Sequence, residues 1–143
     1  MKTLIVILIF LSFFQASVLP LNLGLILILT RAFIRQDRAN LILALTFGFL
    51  LSFLEHLPLG LISLMFIVFV EAIYLWNKTP FSRNALTVLP VVGLVILVVD
   101  LFSGPSTIWP RILLELVLIL PIYLAVRFWE ERFIAAKQIK LKI

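Results

Sequence analysis

Residues 3–34 read TLIVILIFLSFFQASVLPLNLGLILILTRAFI, an apolar stretch whose main interruptions are Pro20, Asn22 and Gly24. As a single helix rising 1.5 Å per residue it would be about 48 Å long, far more than the roughly 30 Å hydrocarbon core of a membrane. Lys2 stands before the stretch, and three arginines stand at or beyond its other end: Arg31, Arg35 and Arg38. Because cytoplasmic loops of membrane proteins carry an excess of Lys and Arg, we expect both ends on the cytoplasmic side. The stretch therefore predicts a helical hairpin, with residues 3–19 crossing outward and residues 21–34 returning.

The composition is typical of a membrane protein. Hydrophobic residues make up 64% of the 143 residues, charged residues make up 13%, and the mean hydropathy is +1.24. Soluble domains contain about 45–50% apolar and about 25% charged residues. The formal net charge of +5 is spread over the gaps between apolar runs, so we expect no nucleic-acid binding. About six short spans would fill the chain, and we expect no appended soluble catalytic domain.

Four further apolar runs complete the predicted topology, over residues 40–54, 59–76, 84–102 and 108–128. Lys and Arg recur in alternate gaps between the runs, whereas the turn around Pro58 has none. We therefore predict an all-α polytopic membrane protein with two parts. Residues 1–128 would form a bundle of six short transmembrane helices, and residues 129–143 a basic cytoplasmic tail lying on anionic lipid. Both termini would be cytoplasmic.

Five polar residues near the predicted outer ends of the spans form a candidate polar cluster or partner contact: Glu55, His56, Asp100, Arg111 and Glu115. Ionisable groups within a membrane are costly, so each one needs a physical explanation. Arg111 and Glu115 are four residues apart and share a helix face. Two interpretations stay open. The cluster is a substrate site or proton relay, or its members are charges near helix ends that reach solvent and each other.

Glu71 lies within the fourth predicted span, near its cytoplasmic end. We expect an intramembrane ion pair between Glu71 and Arg127, or with Arg31 at a similar depth. The alternatives are a carboxylate that snorkels to the interface and a proton or ligand site.

Enzyme signatures are missing from the sequence. It contains no paired-His zinc motif, no Gly-x-Ser-x-Gly elbow and no Walker loop, and it has one His and no Cys. We expect neither catalysis nor a bound metal or cofactor. With 5 glycines and no Gly-x-x-x-Gly motif, we expect the helices to meet through Leu, Ile and Phe surfaces.

Several short segments resemble the MreD family of rod shape-determining membrane proteins. They are FQASVLP (residues 14–20), FGFLLSFLE (47–55) and LPLGL (57–61), which contain the motif residues Gln15, Pro20, Gly48, Phe49, Pro58 and Gly60. The chain departs from the family pattern in three places, of which one is a shorter turn before Pro58. Ser52 stands where a second Gly is usual, and Glu55 or His56 stands where an Asp is usual.

The resemblance implies a non-enzymatic scaffold of the bacterial cell-elongation machinery, which directs peptidoglycan synthesis and rod shape, in the cytoplasmic (inner) membrane. MreD-like proteins bind the membrane helix of MreC and, through MreC, reach MreB, RodA and the penicillin-binding transpeptidase. Their fold is similar to that of the substrate-binding subunits of energy-coupling-factor vitamin transporters. A vitamin-binding subunit of such a transporter is therefore the alternative function, in which the five residues of the candidate polar cluster would line a ligand pocket.

Overall fold

Six α-helices follow one another in the part of the chain that the structure describes. A computed structural model describes residues 2–17, 21–56, 58, 60–80, 85–103 and 108–140. In this part of the chain the helices are α1 (Lys2–Ser17), α2 (Leu23–Ile34), α3 (Arg38–Leu54), α4 (Leu61–Asn77), α5 (Val88–Ser103) and α6 (Ile108–Lys140), and a 3-10 turn (Ala85–Thr87) precedes α5. The all-α prediction is confirmed for these residues, and each helix matches one predicted span.

The helices differ in whether their length suits a membrane crossing. Among the described residues, one segment, Trp109–Arg132 within α6, combines the length and the apolar composition of a span. The other five helices are apolar but have 10–17 residues in their apolar segments, less than the roughly 20 residues that a perpendicular crossing needs. The crossing of the membrane by all six helices therefore stays a prediction.

Helix α2 is the centre of the bundle. It contacts each of the other five helices. The apolar side chains on one broad face are almost fully buried, at no more than 1% exposure: Leu25, Ile26, Ile28, Leu29 and Ala32. A helix that buries so much of its surface belongs in a core. With 12 residues α2 is about 18 Å long, and the polar residues near its two ends, Asn22 and Arg31, are also buried.

Small residues bring the helices close together. The Phe47 ring of α3 packs directly over Gly24 of α2, and Gly48 packs against Ser63 of α4, where an added Cβ would lie 2.5 Å from the Ser63 Cα. The Phe47 ring also stacks on Phe66, with ring centroids 6.0 Å apart. The expectation that the helices meet only through Leu, Ile and Phe is therefore wrong for these helix pairs. Single glycines allow these helices to approach closely, although the sequence has no Gly-x-x-x-Gly motif.

Helix α6 continues beyond residue 128, where we expected the bundle to end. Its 33 residues run without a break to Lys140, a length of about 50 Å at 1.5 Å per residue. Glu130, which we assigned to the tail, is 7% exposed and packs against the bundle. The first residues of the predicted tail are thus structurally part of α6.

Candidate functional site

Asn22, in the connection between α1 and α2, is the centre of a buried polar cluster. Its backbone N–H donates to Glu115 Oε1 at 2.7 Å, and its side-chain Nδ2 donates to Asp100 Oδ1 at 3.0 Å. Gln15 of α1 donates from Nε2 to Asn22 Oδ1 at 3.3 Å. Asn22 is the N-cap residue of α2, so the two carboxylates lie at the positive end of the helix dipole. Together with Arg111, these residues form what we call the Asn22 cluster.

Arg111 bridges the two carboxylates of the Asn22 cluster. Its Nη2 lies 3.2 Å from Asp100 Oδ1, and its Nε lies 3.4 Å from Glu115 Oε1. The Arg111 side chain is 25% exposed, whereas those of Asp100 and Glu115 are 2% and 0% exposed. The structure thus brings three of the five predicted residues together and buries both acids, instead of leaving them in solvent.

Glu55 and His56 lie at the edge of this cluster, just after α3. Both are exposed, and His56 has a left-handed backbone with φ 54°. Glu55 is within hydrogen-bonding range of the Gln15 side chain and interacts electrostatically with Arg111. Desolvation raises the pKa of Glu55, and Arg111 and Gln15 offset part of that rise. The structure shows no hydrogen bond or ion pair of His56 with any other described residue.

A second buried cluster, the Arg31 cluster, lies at the opposite end of α2. Arg31 donates from Nε to Glu130 Oε1 at 2.9 Å and from Nη1 to Asn40 Oδ1. Asn40 in turn donates to the Tyr74 hydroxyl oxygen at 2.9 Å, and the Tyr74 hydroxyl donates to the Asp37 carbonyl at 2.7 Å. These contacts connect α2, α3, α4 and α6. They place a cation at the C-terminal end of α2, where the helix dipole favours it.

The predicted pairing of Glu71 does not occur. Glu71 is exposed and forms no ion pair within the described part of the chain. Arg127 instead pairs with Glu131 one turn further along α6, at 2.9 Å, and Arg31 pairs with Glu130. The sequence alone suggested Glu71 because of its depth in the span, but α6 presents Glu130 to α2 at that level.

An apolar groove lies between α1 and α3. It has a volume of about 300 Å³. Its lining residues are Ile5, Leu8, Ile9, Ala39, Ile42, Leu43, Thr46, Phe47 and Leu50. The floor is buried, with Leu8, Leu43 and Phe47 at 2–4% exposure, and the rims are exposed, with Ile42 at 62%. We refer to it as the α1–α3 groove.

Sequence reasoning missed the neutral members of the two clusters: Asn22, Asn40 and Tyr74. A polar amide in an otherwise apolar stretch was the available signal, since an unpaired amide is costly in a core. Gln15 belongs to the family-motif residues. Of the other motif residues, Gly48 lies at the α3–α4 contact, Gly60 precedes α4 with φ 91°, and Phe49 and Pro58 are exposed. Pro20 lies outside the described residues.

Comparison of the chain with protein-family models, with curated proteins and with solved structures finds no match. The resemblance to MreD therefore rests on the sequence segments given above.

Proposed function

We propose that the protein is a non-enzymatic integral membrane scaffold of the bacterial cell-elongation machinery, similar to MreD, and that the α1–α3 groove holds the transmembrane helix of an MreC-like partner. The groove is the observation that carries this proposal. The identity of the machinery, with MreB, RodA and the penicillin-binding transpeptidase reached through the partner, rests on the sequence resemblance.

The groove has the shape that a helix needs. On α3 its lining residues recur every three or four positions from Ala39 to Leu50, which forms one stripe about 16 Å long at 1.5 Å per residue. The opposite wall is one turn of α1, Ile5 to Ile9. Thr46, its one polar lining residue, donates its hydroxyl to the Ile42 carbonyl, so this donor needs no hydrogen bond from a partner. A guest helix would contact α3 over about three turns and α1 over about one turn.

Close packing matters more than hydrophobicity for helix association in a membrane. Lipid tails are as apolar as Leu, so helices associate where their surfaces fit each other better than they fit lipid. The α1–α3 groove is a concave surface on which a partner helix gains contact on two sides.

Copurification tests this proposal. The full chain and an MreC-like single-span protein of the same genome are coexpressed and purified in mild detergent. Ile42→Trp fills the groove from its exposed rim and should abolish the complex. Leu94→Trp is the matched control, since Leu94 on α5 is 65% exposed, close to the 62% of Ile42, and lies away from the groove. Failure of the folded wild-type chain to bind, or full binding by Ile42→Trp, would contradict the proposal.

The vitamin-transporter alternative is less well supported. In that function Arg111 would contact a ligand, but its guanidinium already bonds to Asp100 and Glu115. Calorimetry with vitamins, repeated on the Ile42→Trp variant, distinguishes the two functions. Binding of a vitamin that the groove variant retains would favour the transporter.

A further inference from the structure

The Asn22 cluster contains three buried oxygen atoms without a hydrogen-bond partner: Gln15 Oε1, Asp100 Oδ2 and Glu115 Oε2. The three residues are 4%, 3% and 0% exposed. Buried polar atoms in native proteins are almost always paired, because an unpaired one loses its hydration without compensation. All three oxygens are acceptors. The missing partner is therefore a group that carries positive charge or donates protons.

The charges of the cluster point to the same conclusion. Asp100 and Glu115 carry two negative charges when ionised, and Arg111 supplies one positive charge, so one negative charge is left over. Both carboxyl groups contact the same two residues, Asn22 and Arg111, so they are close neighbours. Two ionised carboxylates at one site repel, and such pairs in proteins hold a proton or a cation between them. A single positive charge neutralises the cluster.

We propose that the Asn22 cluster binds one small monovalent cation, a proton or an alkali metal ion, between the free oxygens of Asp100 and Glu115, with Gln15 Oε1 as a third acceptor. One unit of charge is enough to balance the site. Carboxylate and amide oxygens are hard ligands, which suit a hard cation.

The path to the site lies on its exposed side. Arg111 is the most exposed member of the cluster, and Glu55 stands beside it at the end of α3, where its charge attracts cations. Arg111 of α6 is the charged group in contact with the carboxyl pair. The neutral Asn22 contacts the pair from the start of α2, and Gln15 of α1 contacts Asn22. This inference does not depend on the proposed scaffold function, because the cluster and the α1–α3 groove share no residue.

Thermal unfolding of the detergent-solubilised full chain tests the proposal. The unfolding midpoint is measured in NaCl, in KCl and in choline chloride at equal ionic strength. Infrared spectra of the same samples report a protonated carboxyl group through its C=O stretch, which shifts in deuterated water. An alkali ion would raise the midpoint above that in choline. A bound proton would leave the midpoint independent of the salt and give a carboxyl band at neutral pH.

Three variants complete the experiment. Glu115→Gln and Asp100→Asn each remove one negative charge with little change of shape, so each should abolish the salt dependence or the carboxyl band. Glu131→Gln is the control, since Glu131 is an exposed acid on the same helix, paired with Arg127, and should leave both signals unchanged. A wild-type chain with neither salt dependence nor a carboxyl band would overturn the proposal. A signal that persists in both cluster variants would also overturn it. The wild-type measurements alone are decisive if a variant does not fold.

Discussion

Arg31 Nε lies 2.9 Å from Glu130 Oε1, although 99 positions separate the two residues in the chain. This ion pair attaches the C-terminal end of α2 to the C-terminal half of α6. At the other end of α2, the Asn22 N–H donates to Glu115 of the same helix. The short central helix is thus fixed to α6 at both ends, by a cation at its C-terminus and a carboxylate at its N-terminus, as the helix dipole favours.

Loss of one partner of the Arg31–Glu130 pair should destabilise the protein strongly. Glu130→Ala leaves the buried Arg31 guanidinium without its carboxylate, and we expect the free energy of unfolding to fall by about 3–5 kcal/mol. Glu131→Ala, which removes the exposed partner of Arg127, should cost about 0–1 kcal/mol. Denaturant unfolding in detergent micelles, followed by tryptophan fluorescence, measures both. Equal losses in the two variants would show that the Arg31 contact is not a buried pair.

Removal of both Arg31 and Glu130 measures the contribution of the ion pair to stability without leaving one buried charge unpaired. Arg31→Met combined with Glu130→Leu removes both buried charges, and Arg35, the second partner of Glu130, is 46% exposed and lies 3.7 Å from Asp37. Replacement of a buried pair by apolar side chains is often neutral or stabilising. The double variant should therefore unfold at a higher denaturant concentration than Glu130→Ala alone. A double variant less stable than the single one would assign the role of Arg31 to its bond with Asn40.

The contact between α3 and α4 should be sensitive to any side chain at position 48. Gly48→Ala places a Cβ 2.5 Å from the Ser63 Cα, a backbone atom that moves only with its helix, and we expect a loss of about 1–3 kcal/mol. Gly93→Ala is the matched control, because the new Cβ meets Leu116 Cδ2, at the end of a flexible side chain. The difference between the two unfolding free energies is the test. If Gly93→Ala costs as much as Gly48→Ala, then close backbone approach is not the cause.

The helices could be predicted from the sequence because each apolar run is bounded by a turn or a charged gap. The charge pattern also placed Asp100, Arg111 and Glu115 at one end of the bundle, where the structure joins them. Hydrophobic runs and charges are local properties of the chain, so they can be recognised in the sequence without knowledge of the packing.

The pairing of individual side chains could not be predicted in the same way. Glu71 and Glu130 were both available at the depth of Arg31, and the rotation of α6 about its axis decides between them. That rotation follows from the packing of whole helix faces, such as the contact of the Phe33 ring of α2 with the Tyr123 ring of α6. The boundary at residue 128 was drawn from composition, by which Glu130 looks like a tail residue, whereas in the structure Glu130 is buried and contacts α2.

Truncation of α6 should show where the bundle ends. A chain that stops after Arg132 keeps Glu130 and the Arg31 contact, so we expect nearly wild-type unfolding. A chain that stops after Phe128 loses Glu130 and should be less stable by an amount close to that of Glu130→Ala. Both truncations remove Lys137, Lys140 and Lys142, each worth about 1 kcal/mol near an anionic leaflet. Binding of both truncated chains to anionic nanodiscs should therefore be weaker than that of the full chain. Equal stability of the two chains would place the end of the bundle at residue 128.

The pH dependence of stability should contain a contribution from Glu55. Desolvation raises the pKa of Glu55 in the folded protein above its value in the unfolded chain. Folding therefore favours the protonated form, and this contribution is lost as the pH rises from the unfolded pKa through the folded pKa. Glu55→Gln removes the titration, so the variant should gain stability relative to wild type between acidic and neutral pH. Unfolding midpoints of both proteins across this range measure the effect. Parallel curves would show that Glu55 is fully solvated.

The distribution of positive charge predicts the membrane topology of the helices. Arg31 and Arg35 at the end of α2, Lys78 after α4 and Arg132 in α6 should all face the cytoplasm, and the turn at Glu55 should face outward. A reporter that is active only in the cytoplasm should therefore function when fused after Lys78 or after Ile143 and fail when inserted after His56. The insertion after His56 needs a second reporter, active only outside, to show that the chain is made and inserted. Since five of the helices are shorter than a standard span, a cytoplasmic signal from position 56 would mean that α1, α2 and α3 do not cross the membrane separately. That result would remove the reason for placing the Asn22 cluster on the outer side, but not the contacts within it.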